Sequence, residues 1–202
     1  MTDKNLRADL EIIANWISPD QQVLDLGCGQ GELLSHLMTT KKIKGYGLEI
    51  EEDAITECIK KGINVVQQNL DDGLSNFEDH SVDTIVMTQA LQAVKRPDLL
   101  LDEMLRVGNE AIITFPNFGH WSCRAYLMFK GRMPMSDTLP FSWYDTPNIH
   151  LCTFKDFEAL CYDKEIKVLN RTVVDNDLKD NWAIRLWPNL LGQVAIYHIK
   201  KR

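Results

Sequence analysis

Asp25, Gly27, Gly29 and Gly31 stand at alternate positions in the run Val23-Leu24-Asp25-Leu26-Gly27-Cys28-Gly29-Gln30-Gly31-Glu32. Three glycines among five residues allow positive φ and let a ligand lie against bare backbone. The segment after them reads as a helix, whose first N–H groups have no partner within the helix and face the same spot. A nucleotide-like ligand is therefore expected over the turn. A dinucleotide fingerprint needs its third glycine at the sixth position. That position is Glu32 here, and a carboxylate beside a pyrophosphate is unfavourable by charge alone. Glu49 follows Gly31 by 18 positions, at the end of the next strand-like run Lys44–Ile50. An acid there can accept both hydroxyls of a ribose bidentately, or it can cap the helix that starts near Asp53.

The acid-x-Gly-x-Gly-x-Gly pattern starting at Asp25 resembles motif I of class I S-adenosylmethionine (SAM) methyltransferases. Their ligand carries an ammonium and a sulfonium in place of phosphates, so nearby carboxylates are tolerable. Methyl transfer is an in-line displacement and, for many acceptors, needs a base. His120 and His150 are the candidates near neutral pH. A structural role is the readier reading of both, for His120 as a stacked and hydrogen-bonded residue in a Trp- and Phe-rich corner. His36, His80 and His198 read as structural or solvent contacts. The spacing of His120, Cys123, His150 and Cys152 matches no zinc pattern, so no metal is expected.

The elements that position these residues alternate in type. Leu6–Trp16 has helical apolar spacing and closes at Ser18-Pro19. Strands are expected at Gln22–Leu26, Lys44–Glu49, Asn64–Gln67, Thr84–Thr88 and Ala111–Phe115. Helices are expected at Glu32–Thr39, Glu52–Lys61 and Pro97–Arg106, and Pro97 suits a first turn. This rhythm implies a parallel sheet with right-handed crossovers. It breaks at Pro116. From Pro116 to Cys152 the chain is rich in Pro, Trp, Tyr, Phe, Met and His, at the carboxyl edge of the sheet where open α/β folds bind ligands. The segment is expected to be a lid with a short helix at Tyr126–Phe129, or else a loop packed on the sheet edge. A helix at Thr153–Cys161 follows, then strands at Ile166–Val174 and Gln193–Ile199, the last antiparallel. Asn181–Leu191, with two tryptophans, reads as core or interface. The whole is a Rossmann-like α/β fold of seven strands in one domain spanning 1–202, with 116–152 inserted in it.

Composition narrows the partners. The chain of 202 residues has a net charge of -7, with 45% apolar and 25% charged residues. That acidic balance argues against nucleic acid. Lys41, Lys42 and Lys44 read as a solvated loop. No run approaches the ~18 apolar residues of a membrane span. Met1–Arg7 does not resemble a signal peptide. Five scattered cysteines fit free thiols in a cytoplasm, and a homodimer is compatible with the sequence.

Several longer motifs extend the resemblance: Gln89-Ala90-Leu91-Gln92-Ala93, Arg96-Pro97-Asp98, Phe115–Trp121, Gly131-Arg132-Met133-Pro134 and Trp143–Cys152. With Val23–Leu34 they resemble the methionine-biosynthesis MetW family from Arg7 to about Tyr197. The resemblance implies a class I methyltransferase fold, SAM or S-adenosylhomocysteine (SAH) as ligand, and homoserine O-acyltransferase as a partner that the protein assists. Carried over residue by residue, it assigns Asp25, Gly27, Gly29 and Gly31 to the ligand turn. Cys28 would offer its backbone, Glu49 would bind the ribose and Ile50 would lie on the adenine. Asn69 stands where many relatives of this fold have an aspartate facing the adenine amino group. Its amide oxygen can still accept that bond, without charge assistance. Leu70 would cover the ring, and Gln89 would lie where the methionine end meets any acceptor. Three functions compete: a SAM-binding accessory or regulator of homoserine acylation, an active small-molecule methyltransferase, and an oxidoreductase, which Glu32 disfavours.

Overall fold

A computed structural model describes residues 6–136, 138–174 and 186–202. Seven strands form one sheet in the order β3-β2-β1-β4-β5-β7-β6. They are β1 (Gln22–Leu26), β2 (Lys44–Glu49), β3 (Asn64–Gln67), β4 (Val82–Thr88), β5 (Gly108–Pro116), β6 (Ile166–Val174) and β7 (Val194–Lys201). The first five pair in parallel. β7 lies between β5 and β6 and is antiparallel to both, with Tyr197 opposite Ile113 on one side and Arg171 on the other. The expected fold class is therefore correct. The last strand enters beside β5 as well as beside β6, which interval counting alone does not reveal.

β1 lies inside the sheet between β2 and β4, and Val23, Leu24 and Leu26 are wholly buried on its two faces. That double burial is why its sequence runs apolar without alternation. One face carries α1 (Ala8–Trp16), α2 (Glu32–Lys41) and α3 (Glu52–Lys60), packed through Ile13, Leu34, Leu37 and Cys58. The other carries α4 (Pro97–Val107) and α6 (Phe154–Asp163), packed through Leu101, Met104, Phe154 and Phe157. Phe115 and Tyr197 stack at 6.0 Å between ring centroids, and Phe157 of α6 meets both rings at a tilt, at 5.1 and 4.7 Å. Pro97 opens α4. Thr153 and Asp156 close a capping box on α6: Asp156 N–H donates to Thr153 Oγ1 at 3.3 Å, and Thr153 N–H donates to Asp156 Oδ2 at 3.0 Å. A short α7 (Pro188–Leu191) precedes β7.

Two sequence readings need correction. α5 runs over Trp121–Lys130, far longer than Tyr126–Phe129, with Gly131 in the left-handed region at φ 61° as its end. Lys41 is not in a solvated loop. It belongs to the last turn of α2, is half-buried, and its ammonium donates to the carbonyls of Ala14 and Ile17 at the end of α1. A cation there complements a helix C-terminus. The region read as core or interface lies partly outside the described residues (181–185); Leu186 and Trp187, its next two, are exposed. Among the described residues, no helix is long and apolar enough to cross a membrane.

Candidate ligand cleft and the segment above it

Strand order reverses between β1 and β4, the place where open α/β sheets hold ligands at their carboxyl ends. The glycine turn follows β1, Glu49 ends β2, Asn69 follows β3 and Gln89 follows β4, so the topology gathers all four at one edge.

The three glycines do different work. All have positive φ: 71° at Gly27, 54° at Gly29 and 72° at Gly31. A Cβ on Gly31 would lie 2.3 Å from Ile63 Cδ1 and 3.0 Å from Cys58 Sγ. Gly31 therefore lets α3 and β3 close against the turn. A Cβ on Gly27 would meet Ala90 Cβ at 3.3 Å. A Cβ on Gly29 would meet nothing within 4 Å. Gly29 is thus the position whose bare backbone faces open space, where a ligand can approach.

Glu49 is 8% exposed and reaches back to the turn. Gly29 N–H donates to its Oε2 at 2.7 Å, while Ile50 N–H and Glu51 N–H donate to Oε1 at 2.7 and 3.1 Å. Glu49 thus ties the end of β2 to the glycine turn and to the approach to α3, while the helix itself has Glu51 as N-cap with no side-chain capping bond. A carboxylate offers about four acceptor positions, so three backbone donors leave room for a hydroxyl. Three other donors of the turn serve the fold. Gly27 and Cys28 N–H both donate to Leu48 O, at 2.8 and 3.1 Å, and Cys28 O accepts from Gly31 N–H at 2.9 Å. Cys28's backbone is thereby committed to the turn itself.

Asp25 is 2% exposed, and its Oδ1 has no partner among the described residues. Burial, reinforced by the charge of Glu49, pushes its carboxyl up to about 7. An orphaned buried acid beside an open glycine is a fitting neighbour for a cationic ligand. Ile50 is exposed, as a surface meant to meet a flat ring would be, and Leu70 is half-buried against the core. Asn69 Oδ1 accepts from Asp71 N–H at 3.0 Å and caps a 3-10 turn; its second lone pair is what a ligand would use. The residues present therefore fit an adenosyl ligand.

Just after β4, Gln89 has φ 52°, a rare conformation for a non-glycine residue and one found at functional sites. Its N–H donates to both Thr114 O and Thr114 Oγ1 at 3.0 Å. Its Nε2 donates to Asp9 Oδ2 at 3.4 Å, and Arg7 grips the same carboxylate through two bonds of 2.7 and 2.9 Å. Sequence reasoning missed Arg7 and Asp9. The only sign of them was an acid on the α1 face that packs inward, and Asp9 is 4% exposed.

Each candidate histidine has one ring nitrogen engaged by the fold. His120 Nδ1 accepts from Ser122 N–H as the cap of α5 and bonds Ser122 Oγ at 2.7 Å. His150 Nε2 donates to Lys95 O at 3.2 Å. His198 is buried, bonds Glu110 Oε2 at 2.7 Å and stacks on Trp16. Cys28 and Cys58 thiols lie 3.9 Å apart. Burial raises both above the usual thiol range, which makes them packing groups and not nucleophiles. No cluster of three metal-ligating side chains occurs among the described residues.

The lid segment is tied down at its roots and open on its outer face. Asn117 Nδ2 donates to Gly192 O at 2.7 Å, and Phe118 N–H donates to Cys152 O at 3.0 Å. Above these anchors, Met128, Phe129, Trp143 and Tyr144 are 72–77% exposed. Trp143 and Tyr144 meet edge-on, centroids 5.7 Å apart, beside a cleft of about 340 Å³ lined by Phe118, Leu139, Phe141 and Ile149 among others. More than half of the exposed large apolar side chains of the described residues lie between Trp121 and Leu151.

Known structures share the architecture. A SAM-dependent methyltransferase from Archaeoglobus fulgidus superposes with a TM-score of 0.67 at 19% identity, over 96% of this chain and 92% of that one. Magnesium protoporphyrin IX methyltransferase from Synechocystis PCC 6803, solved with bound SAH, also gives 0.67, at 14% identity over 96% and 82%. Identities this low establish the fold alone. In sequence, the chain is 32% identical to the bifunctional methionine biosynthesis protein MetXA/MetW of Rhodopirellula baltica, and all of this chain aligns with 34% of that protein. It thus spans about a third of the relative's length. The pattern described as methionine biosynthesis protein MetW matches residues 7–199, and the chain belongs to that family.

Proposed function

We propose that the chain binds SAM or SAH in the cleft between the glycine turn, Glu49 and Asn69-Leu70, and that it acts as a SAM-responsive partner of homoserine O-acyltransferase in methionine biosynthesis. The observation that carries this reading is the exposed aromatic face of the lid. Interface centres are enriched in Trp, Tyr, Met and Arg, and the segment carries all four, with Trp121, Arg132, Trp143 and Tyr144 as the anchors. The Rhodopirellula relative unites MetXA and MetW parts in one polypeptide, which supports a non-covalent association of separate chains. SAH bound to a neighbour of the same fold supports the ligand. The five free cysteines suit a reducing cytoplasm. SAM lies downstream of homoserine acylation, so a ligand-dependent contact would let the product adjust the pathway.

The test is co-purification with homoserine O-acyltransferase, with and without SAM, with acylation assayed in parallel. A complex whose stability or activity changes with SAM supports the reading. Absence of a complex at any SAM concentration overturns it. A second reading, an active small-molecule methyltransferase, is favoured by one feature: the left-handed Gln89 backbone beside Asp9 at the methyl end of the cleft. Turnover of SAM to SAH with an added acceptor would decide for it.

A further inference from the structure

A continuous run of hydrogen bonds joins the two ends of the cleft to the lid. It starts at Asn69, whose Oδ1 accepts from Asp71 N–H at 3.0 Å. Asp71 Oδ1 accepts from Lys95 N–H at 2.8 Å, and its Oδ2 faces the Lys95 ammonium at 3.5 Å. Lys95 O accepts from His150 Nε2, within the lid. His150 N–H then donates to Gln92 O at 3.0 Å. Gln92 Nε2 donates to Gln89 O at 2.6 Å, and Gln89 reaches Asp9. Among the described residues of the lid, His150 is the one that meets both arms.

Two members of this run are held in costly states. Gln89 has a left-handed backbone. Gln92 is 6% exposed with its Oε1 buried and unpartnered among the described residues. Strained backbones cluster at active sites, ligand clamps and switch regions, and a buried acceptor without a partner calls for an explanation of its own. Asn69 and Gln89 are also the two residues assigned to opposite ends of the ligand.

Resting on the ligand reading above, we propose that this run couples the cleft to the lid, with His150 as a positioning residue at the junction. A ligand that draws on Asn69 and Gln89 shifts Asp71, Lys95 and Gln92, and thereby the stretch from Trp143 to His150, whose Trp143, Tyr144 and Ile149 are exposed. Because coupling is reciprocal, a partner seated on that stretch changes the affinity for the ligand by the same factor.

The experiment is hydrogen exchange on the full chain with and without SAH, with affinity measured by calorimetry. In the wild type, SAH slows exchange at the His150 amide and across the lid. His150→Ala and Asp71→Ala, both at exposed positions, still bind SAH within a few-fold of wild type but lose that lid response. His150→Gln keeps a donor toward Lys95 O and retains it. If SAH binds the wild type and the lid does not respond, the coupling is overturned while the ligand reading stands. A lid response that survives in both alanine variants overturns it equally. If SAH does not bind the wild type, the ligand reading fails and the coupling falls with it.

Discussion

Asp25 lies buried beside Glu49 with its carboxyl held up to about 7 by burial and by that neighbour's charge. Its folded value is above the ordinary carboxylate value, so the folded chain keeps the proton to higher pH than the unfolded chain does. Stability contributed by this group therefore falls as pH rises from about 4 toward 7 and levels off above. The penalty has an upper bound on the order of 4 kcal/mol. Asp25→Asn should raise the melting temperature above the wild type's near pH 7.5, with the difference vanishing near pH 4. Parallel melting curves across that range would refute the assignment. Glu49 sits differently, with three backbone donors already on its carboxylate. Glu49→Ala should weaken SAH binding by about 1.5–3 kcal/mol, the range for bonds to a charged group. Calorimetry showing unchanged affinity would remove Glu49 from the ribose site.

At the scale of elements, the glycine turn separates folding from binding. Gly29→Ala places a methyl in open space and costs about 1–2 kcal/mol in backbone strain, so the variant should fold and lose SAH. Gly31→Ala adds a similar strain and drives a methyl into Ile63 and Cys58, with a further ~1–3 kcal/mol from overpacking. Denaturant titration and calorimetry on the pair test this. If Gly29→Ala binds normally, the open backbone is not the ligand cradle.

Over the whole molecule, the sheet edge holds the cleft and the lid turns its aromatic face outward. Trp143→Ala and Arg132→Ala should each weaken the acyltransferase complex by about 2 kcal/mol or more if they are hot spots, with SAH binding measured alongside. Lost SAH binding with an intact complex would make the segment a substrate lid and favour the methyltransferase reading.

The local chemistry was legible in the linear chain. Glycine spacing, the acid at Glu49 and the change of rhythm at Pro116 depend on near neighbours, and backbone sterics and hydrophobic periodicity are near-neighbour effects. The fold class followed for the same reason. Contacts between residues far apart in sequence did not. Lys41 finding the end of α1, Asp9 meeting Gln89, and β7 entering between β5 and β6 depend on which surfaces the packed sheet brings together. The division of labour among Gly27, Gly29 and Gly31 is of the same kind. All three read alike as glycines, and only the approach of Ile63 and Cys58 to one, and of nothing to another, tells them apart.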